Sequence, residues 1–164
     1  MRLQGRYRFK APREAVWRVL LDPAALARAL PGCQRLEEVA PDTYEATLKL
    51  GVASVKGTYS GRVTILDKVP PERYRMQVGG SGAQGFLSGE GLLTLAEADG
   101  RTVLTYDGEA QVGGLIAGIG QRMLGGVSKL LVRLFFRALA KQLHLAEGDV
   151  EEVEPEGESR GDGP

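Results

Sequence analysis

A chain of 164 residues, 43% apolar and 26% charged, has the make-up and size of one globular domain with a substantial core. Its one cysteine, Cys33, and one histidine, His144, exclude a disulfide framework, a paired-cysteine metal knuckle and a histidine-activated nucleophile with a second histidine behind it. Of 21 acids and 21 bases, eight acids and one base fall in residues 147–164, so residues 1–146 carry a net charge of +7. Residues 2–10 alternate strictly, with Leu3, Gly5, Tyr7 and Phe9 on one side and basic or polar residues on the other, which predicts a half-buried antiparallel strand. Residues 13–21 read as a short helix with Val16, Trp17, Leu20 and Leu21 inward. Asp22-Pro23 caps and opens a second short helix that stops at Leu30-Pro31-Gly32.

From Cys33 to Val112 the period is two. Strands are predicted near 34–39, 42–51, 54–67, 72–79, 85–97 and 101–112. Turns separate them at Pro41-Asp42, Val69-Pro70-Pro71, Gly79 to Gly82 and Ala98-Asp99-Gly100, the last a strong hairpin signal. A long amphipathic helix is expected over 115–145, and residues 147–164 are expected to form an acidic disordered tail after a domain of residues 1–146. Strands in one run with helices at its ends predict an α+β fold, its antiparallel sheet covered on one face by the last helix.

The start of that helix is unusual. GGLIAGIGQRMLGG (113–126) holds six glycines, each costing about 1 kcal/mol against alanine inside a helix. On a wheel of about 100° per residue, Lys129, Arg133, Arg137, Ala140 and His144 cluster around Arg122, and Ala117, Gly120, Leu124, Val127, Leu131, Leu134 and Ala138 lie opposite. The opposite stripe is thin at its N-terminal end. Either that end stands back from the sheet and lets something approach its backbone, or the helix packs closely there, or it begins later, near Gln121. Glycines at 57, 61, 79, 80, 82, 85, 89 and 91 favour bends that curl a sheet, and a curled sheet over a thin helix end encloses an apolar cavity of about 300–1,000 Å³. Phe136 falls among cations on the wheel, as on an interfacial helix.

Several chemistries fare poorly. GSGAQG (80–85) fits the spacing of a dinucleotide-binding turn, but the residues after it read as a strand where that turn needs a helix. Metal ligation lacks ligands, and no catalytic residue, cofactor or metal is expected. Asp107 and Glu109 share a strand face with Glu90 nearby, yet Leu104, Tyr106, Ala110 and Val112 define the apolar face opposite, so the acids are expected in water. The basic stripe lacks interleaved aromatics and fits no nucleic-acid module. The first residues hold no apolar stretch of the kind a signal peptide has, and no apolar run approaches the ~18 residues of a membrane span.

The ensemble of LPGC (30–33), GVASVKGTYSG (51–61), GAQGFLSGEG (82–91), VGGLIAGIGQRML (112–124) and LVRLFF (131–136) resembles the carbon monoxide dehydrogenase G-subunit family, within the START and polyketide-cyclase-like helix-grip superfamily. The resemblance implies a helix-grip fold: a seven-stranded curved antiparallel sheet around a long C-terminal helix, with two short helices after the first strand. It implies a non-catalytic accessory protein that binds a hydrophobic small molecule, a quinone or lipid, and assists a molybdenum-containing CO dehydrogenase-type oxidoreductase or a hydrogenase. A cytoplasmic protein, peripheral at the inner face of the membrane, is expected. Carried onto this chain, the cavity is expected to be lined by Leu48, Tyr59, Met76, Phe86, Leu93, Tyr106, Ile116, Gly120 and Leu124, with Tyr59 and Tyr106 offering hydroxyls. Lys129, Arg133, Phe136 and Arg137 are expected to face a membrane or partner. The competing readings are a cyclase- or hydrolase-like enzyme using the same cavity, with Glu90, Asp107 or Glu109 turned inward, and a docking protein with a collapsed cavity.

Overall fold

The structure, a computed structural model, describes residues 1–154. Strand β1 (Arg2–Phe9) is followed by helices α1 (Arg13–Leu20) and α2 (Pro23–Ala29). Six strands come next: β2 (Cys33–Ala40), β3 (Thr43–Leu50), β4 (Gly57–Val69), β5 (Arg73–Gly82), β6 (Gly85–Ala98) and β7 (Arg101–Gly113). Helix α3 (Gln121–Gln142) and a short strand β8 (Val150–Val153) complete the order. All pair antiparallel in one eight-stranded sheet, β2-β3-β4-β5-β6-β7-β1-β8. The α+β architecture is the predicted one.

Local chemistry sets the turns. Asp22 accepts a hydrogen bond from the Ala24 amide at 3.0 Å, and Pro23 opens α2 with no amide hydrogen to strand. Asp99 and Gly100 both have positive φ, 56° and 75°, the backbone that a two-residue hairpin matching strand twist requires. The β5–β6 hairpin is longer than expected: pairing runs on through Gly82 and Gly85, leaving only Ala83-Gln84 at the tip.

The eighth strand corrects the sequence reading, which counted seven strands and placed all of 147–164 in a disordered tail. Val150–Val153 pairs with β1, Glu151 forms an ion pair with Arg8, and Arg6 donates to the Glu154 carbonyl at 2.9 Å. Without β8, the edge of β1 would present a row of unpaired backbone groups. The basic outer side of β1 matches the acidic strand, and Val150 packs against the core. Residues 155–164 of the expected tail lie outside the described residues.

The last helix is also shorter than expected. Leu115–Ile119 forms a 3-10 turn, and α3 begins only at Gln121, after Gly120 at φ 93°. Of the alternatives for the glycine-rich stretch, the late start is what the structure holds. Gly120 serves as N-cap in a backbone region that side chains rarely adopt. The buried stripe of α3 runs through Leu124, Phe136, Leu139 and Ala140, about a third of a turn from the stripe read off the wheel.

Inside, Phe9, Val16, Leu104 and Leu139 are fully buried, and the buried Thr102 hydroxyl donates to the Ala11 carbonyl at 2.7 Å. The main core joins α1, α2 and the C-terminal half of α3 to one half of the sheet's inner face.

Candidate ligand-binding face

Strand alternation fixes which side chains meet α3. Ile65, Tyr74, Leu93, Leu104 and Tyr7 are buried in the core, so positions of the same parity on their strands share the inner face, with unbroken register along β6 and β7. Two separate apolar clusters lie over that face. The larger contains Tyr44, Ile65, Leu93 and Phe136; Val63, Met76 and Tyr106 pack on it. The smaller is built on Val55, Ile116 and Leu124, with Leu50, Val52, Val112, Ile119 and Val127 beside them.

Between the clusters the inner face carries small residues among larger ones. Three cross-strand rows run there: Ala46–Gly61–Gly80, Val78–Gly89–Ala110 and Met76–Gly91–Gly108. A Cβ placed on Gly61 or Gly80 would meet only neighbouring strand backbone, at 3.5 Å or more; no helix side chain comes within 4 Å. A helix seated tightly on this floor would put side chains there. Elsewhere the glycines have tighter duties: a Cβ on Gly5 would lie 2.5 Å from the Tyr106 hydroxyl oxygen, so Gly5 lets that ring lie across β1.

The expected lining residues fall in four places. Leu48 and Tyr59 lie on the inner face in neither cluster, and are cross-strand partners. Met76, Leu93 and Tyr106 belong to the large cluster, and Ile116 and Leu124 to the small one. Gly120 is exposed at the start of α3. Phe86 is a correction: it is 55% exposed on the outer face, where its ring covers Gly113. Its parity is opposite to that of Leu93 on an unbroken strand, so the two do not share a face. Alternation counted back from Leu93 gives Leu87, Gly89 and Gly91 in its stead, and on β4 and β5 it gives Gly61 and Gly80; these the sequence reading missed.

The two tyrosines differ. Tyr59 donates its hydroxyl to the Val55 carbonyl at 2.6 Å, so its proton is engaged within the protein. Burial pushes the Tyr106 phenol up to about 12, with smaller contributions from Tyr7 and Glu152.

Phe136 is the second correction. It is 4% exposed, with ring centroids 4.7 Å from Tyr7, 5.9 Å from Tyr106 and 6.1 Å from Phe9. It is a core residue, not part of a membrane-facing surface. Lys129 and Arg137 are exposed, and Arg133 is half-buried.

Glu90, Asp107 and Glu109 all stand exposed on the outer face. Arg2 holds Asp107 through two hydrogen bonds, 2.9 and 3.2 Å, and keeps its carboxyl below the usual range. An enzyme working in the inner space therefore has none of these three acids inside it. Cys33 is half-buried, its thiol pushed up by burial, and His144 is exposed just past the end of α3. Among the described residues no three His, Cys, Asp or Glu side chains gather as metal ligands, and no helix is long and apolar enough to cross a membrane. Two open grooves, of about 370 and 640 Å³, lie along the outer face, the first lined by Arg35, Thr47, Ser60 and Arg62 and the second by Arg6, Arg8, Val103 and Thr105.

Comparison with known proteins gives the fold its relatives. A conserved protein from Geobacillus kaustophilus is 39% identical, with 93% of this chain and 100% of that one aligned at a TM-score of 0.84. A protein from Chromobacterium violaceum, 22% identical over 88% of this chain and 98% of its own, has a TM-score of 0.69. A START superfamily protein from Mycobacterium smegmatis is 10% identical but has a TM-score of 0.70 over 87% of this chain and 97% of its own, so the likeness there is one of fold. No curated protein matches the chain. The family model for CoxG, the carbon monoxide dehydrogenase G-subunit, matches residues 5–144, and the chain belongs to that family.

Proposed function

We propose that this protein is a binding module that carries a hydrophobic small molecule, a quinone or lipid, between α3 and the inner face of its sheet, as an accessory to a CO dehydrogenase-type oxidoreductase or a hydrogenase. One observation supports it above the rest: no helix side chain comes within 4 Å of a Cβ placed on Gly61 or Gly80, on the inner face between two apolar clusters. Glycine in a strand interior weakens it and often marks a place where a ligand or another backbone approaches closely. The family name supports the redox partner, and apolar clusters at both ends suit a ligand that is mostly hydrocarbon.

Native mass spectrometry of gently purified protein tests this. A bound apolar species is expected in the unmodified chain and its loss in Gly80→Leu, which puts a large side chain on the floor at a position with ordinary backbone geometry and no close neighbour. Gly120→Leu is the poorer variant, since Gly120 is exposed and at positive φ. Protein that is empty when purified and stays empty with added quinones and phospholipids overturns the reading, as does equal loading of both forms.

A further inference from the structure

β2 ends the sheet: among the described residues it pairs with β3 alone. Six of its eight residues are exposed, and the large apolar Val39 is 43% exposed. Regular pairing with β3 runs over Arg35–Glu38, between irregularities at Cys33/Arg35 and Glu38/Ala40. Along that run Arg35 and Glu37 lie on the outer face, opposite Thr47 and Glu45, and half-buried Leu36 lies on the inner face, opposite Ala46. Arg35 and Glu37 form an ion pair along the strand, with 64% and 49% of their side chains exposed. Glu37 also faces a like charge. Glu45 is its neighbour across β3, and Arg62 neutralises Glu45 from β4 at 3.2 Å. On the other side of Glu37 lies the open edge of the sheet.

We infer that a second copy of this chain docks on this edge, its β2 antiparallel to the first about a two-fold axis through Leu36. That register sets Arg35 of each copy opposite Glu37 of the other, on the same sheet face, where opposite charges attract. Each Glu37 then has an arginine on its open side, and the outer-face row reads Arg35, Glu37, Glu45, Arg62. On the inner face Leu36 meets its own counterpart. A slide by two residues, the smallest that keeps inner and outer faces in line, sets Arg35 against Arg35 or Glu37 against Glu37. Charges on an edge strand normally keep other strands away. Here they admit one strand in one register, and this sequence supplies that strand. The contact is isologous, so it closes at two copies. The irregularities at either end keep the ladder short, and the dimer is expected to be weak and concentration-dependent. Arg35, Leu36 and Glu37 play no part in the carrier reading, which stands or falls separately.

Sedimentation velocity of the full chain over a rising concentration series tests it, and a monomer–dimer equilibrium is expected. Arg35→Glu alone and Glu37→Arg alone each place like charges opposite one another twice across the axis. Each is expected to lower the association constant at least about tenfold. Mixed in equal amounts, the two variants recover association at the parent's level, because every opposed pair across the axis is again one acid and one base. Both positions are exposed, so each variant keeps the far-ultraviolet dichroism of the parent. A parent that stays monomeric throughout leaves the edge to a strand of another protein and overturns the inference. Dimers that persist undiminished in either single variant, or variants that do not recover association when mixed, place the contact elsewhere and overturn it too.

Discussion

Phe136 shows how far one residue's address was readable. A helical wheel gives its angle relative to Arg133 and Arg137, and by that measure it sits among cations. The wheel does not say where the core lies. That direction is set by Tyr7, Phe9 and Tyr106, which the sheet brings together from distant parts of the sequence around the Phe136 ring. The arginines beside it reach solvent along their stems, Arg137 exposed and Arg133 half-buried. Phe136→Ala is therefore expected to destabilise the fold by about 3–5 kcal/mol, the usual loss for an aromatic ring removed from a packed core. Leu134→Ala, on the exposed side of the same helix, is expected to stay within about 0.5 kcal/mol. Urea unfolding of the two variants checks the contrast, and equal midpoints would return Phe136 to the surface.

Elements built on local signals were legible; those built on distant pairing were not. The Asp22-Pro23 helix start, the Asp99-Gly100 hairpin and the alternation of β1 each needed only a few adjacent residues, and all stand where expected. β8 had no such signal. VEEV lies in an acidic stretch whose composition favours disorder, and what orders it is the free edge of β1, more than 140 residues earlier. The inner-face floor lies between these cases, since its glycines were legible as sheet glycines but their facing needed an unbroken register from Leu93. If packing rather than charge holds β8, Val150→Asp lowers stability by about 2 kcal/mol, because a carboxylate replaces an apolar group resting on the core. Glu151→Ala removes only an exposed ion pair and changes stability by less than about 1 kcal/mol. Urea midpoints measured in parallel decide it, and a larger loss for Glu151→Ala would make the strand electrostatic.

At the scale of the whole molecule, all five tyrosines have phenols raised above their ordinary value, and in each the first cause is burial. Tyr106 is pushed up to about 12, and Tyr74, enclosed beside Trp17 at 5.6 Å between ring centroids, is raised further. Tyr7, Tyr44, Tyr74 and Tyr106 belong to the large cluster that the sheet shares with α1 and α3, so their titration reports the integrity of the fold rather than of one site. Below about pH 10 the phenols are protonated in the folded and unfolded chain alike, and their burial contributes its full, pH-independent stability. Above that value the unfolded chain gives up phenolic protons that the fold still holds. It then binds fewer protons, and each further unit of pH favours unfolding by about 1.4 kcal/mol for every phenol still protonated in the fold. The urea midpoint is accordingly expected to be level up to about pH 9 and to fall steeply between about pH 10 and 12, with phenolate absorbance appearing together with unfolding. Tyr74→Phe removes the most strongly shifted phenol and makes that fall shallower. A midpoint that stays level through this range, or phenolate that appears while the protein remains folded, would mean that the aromatic core is open to water and the two layers are less firmly joined than described.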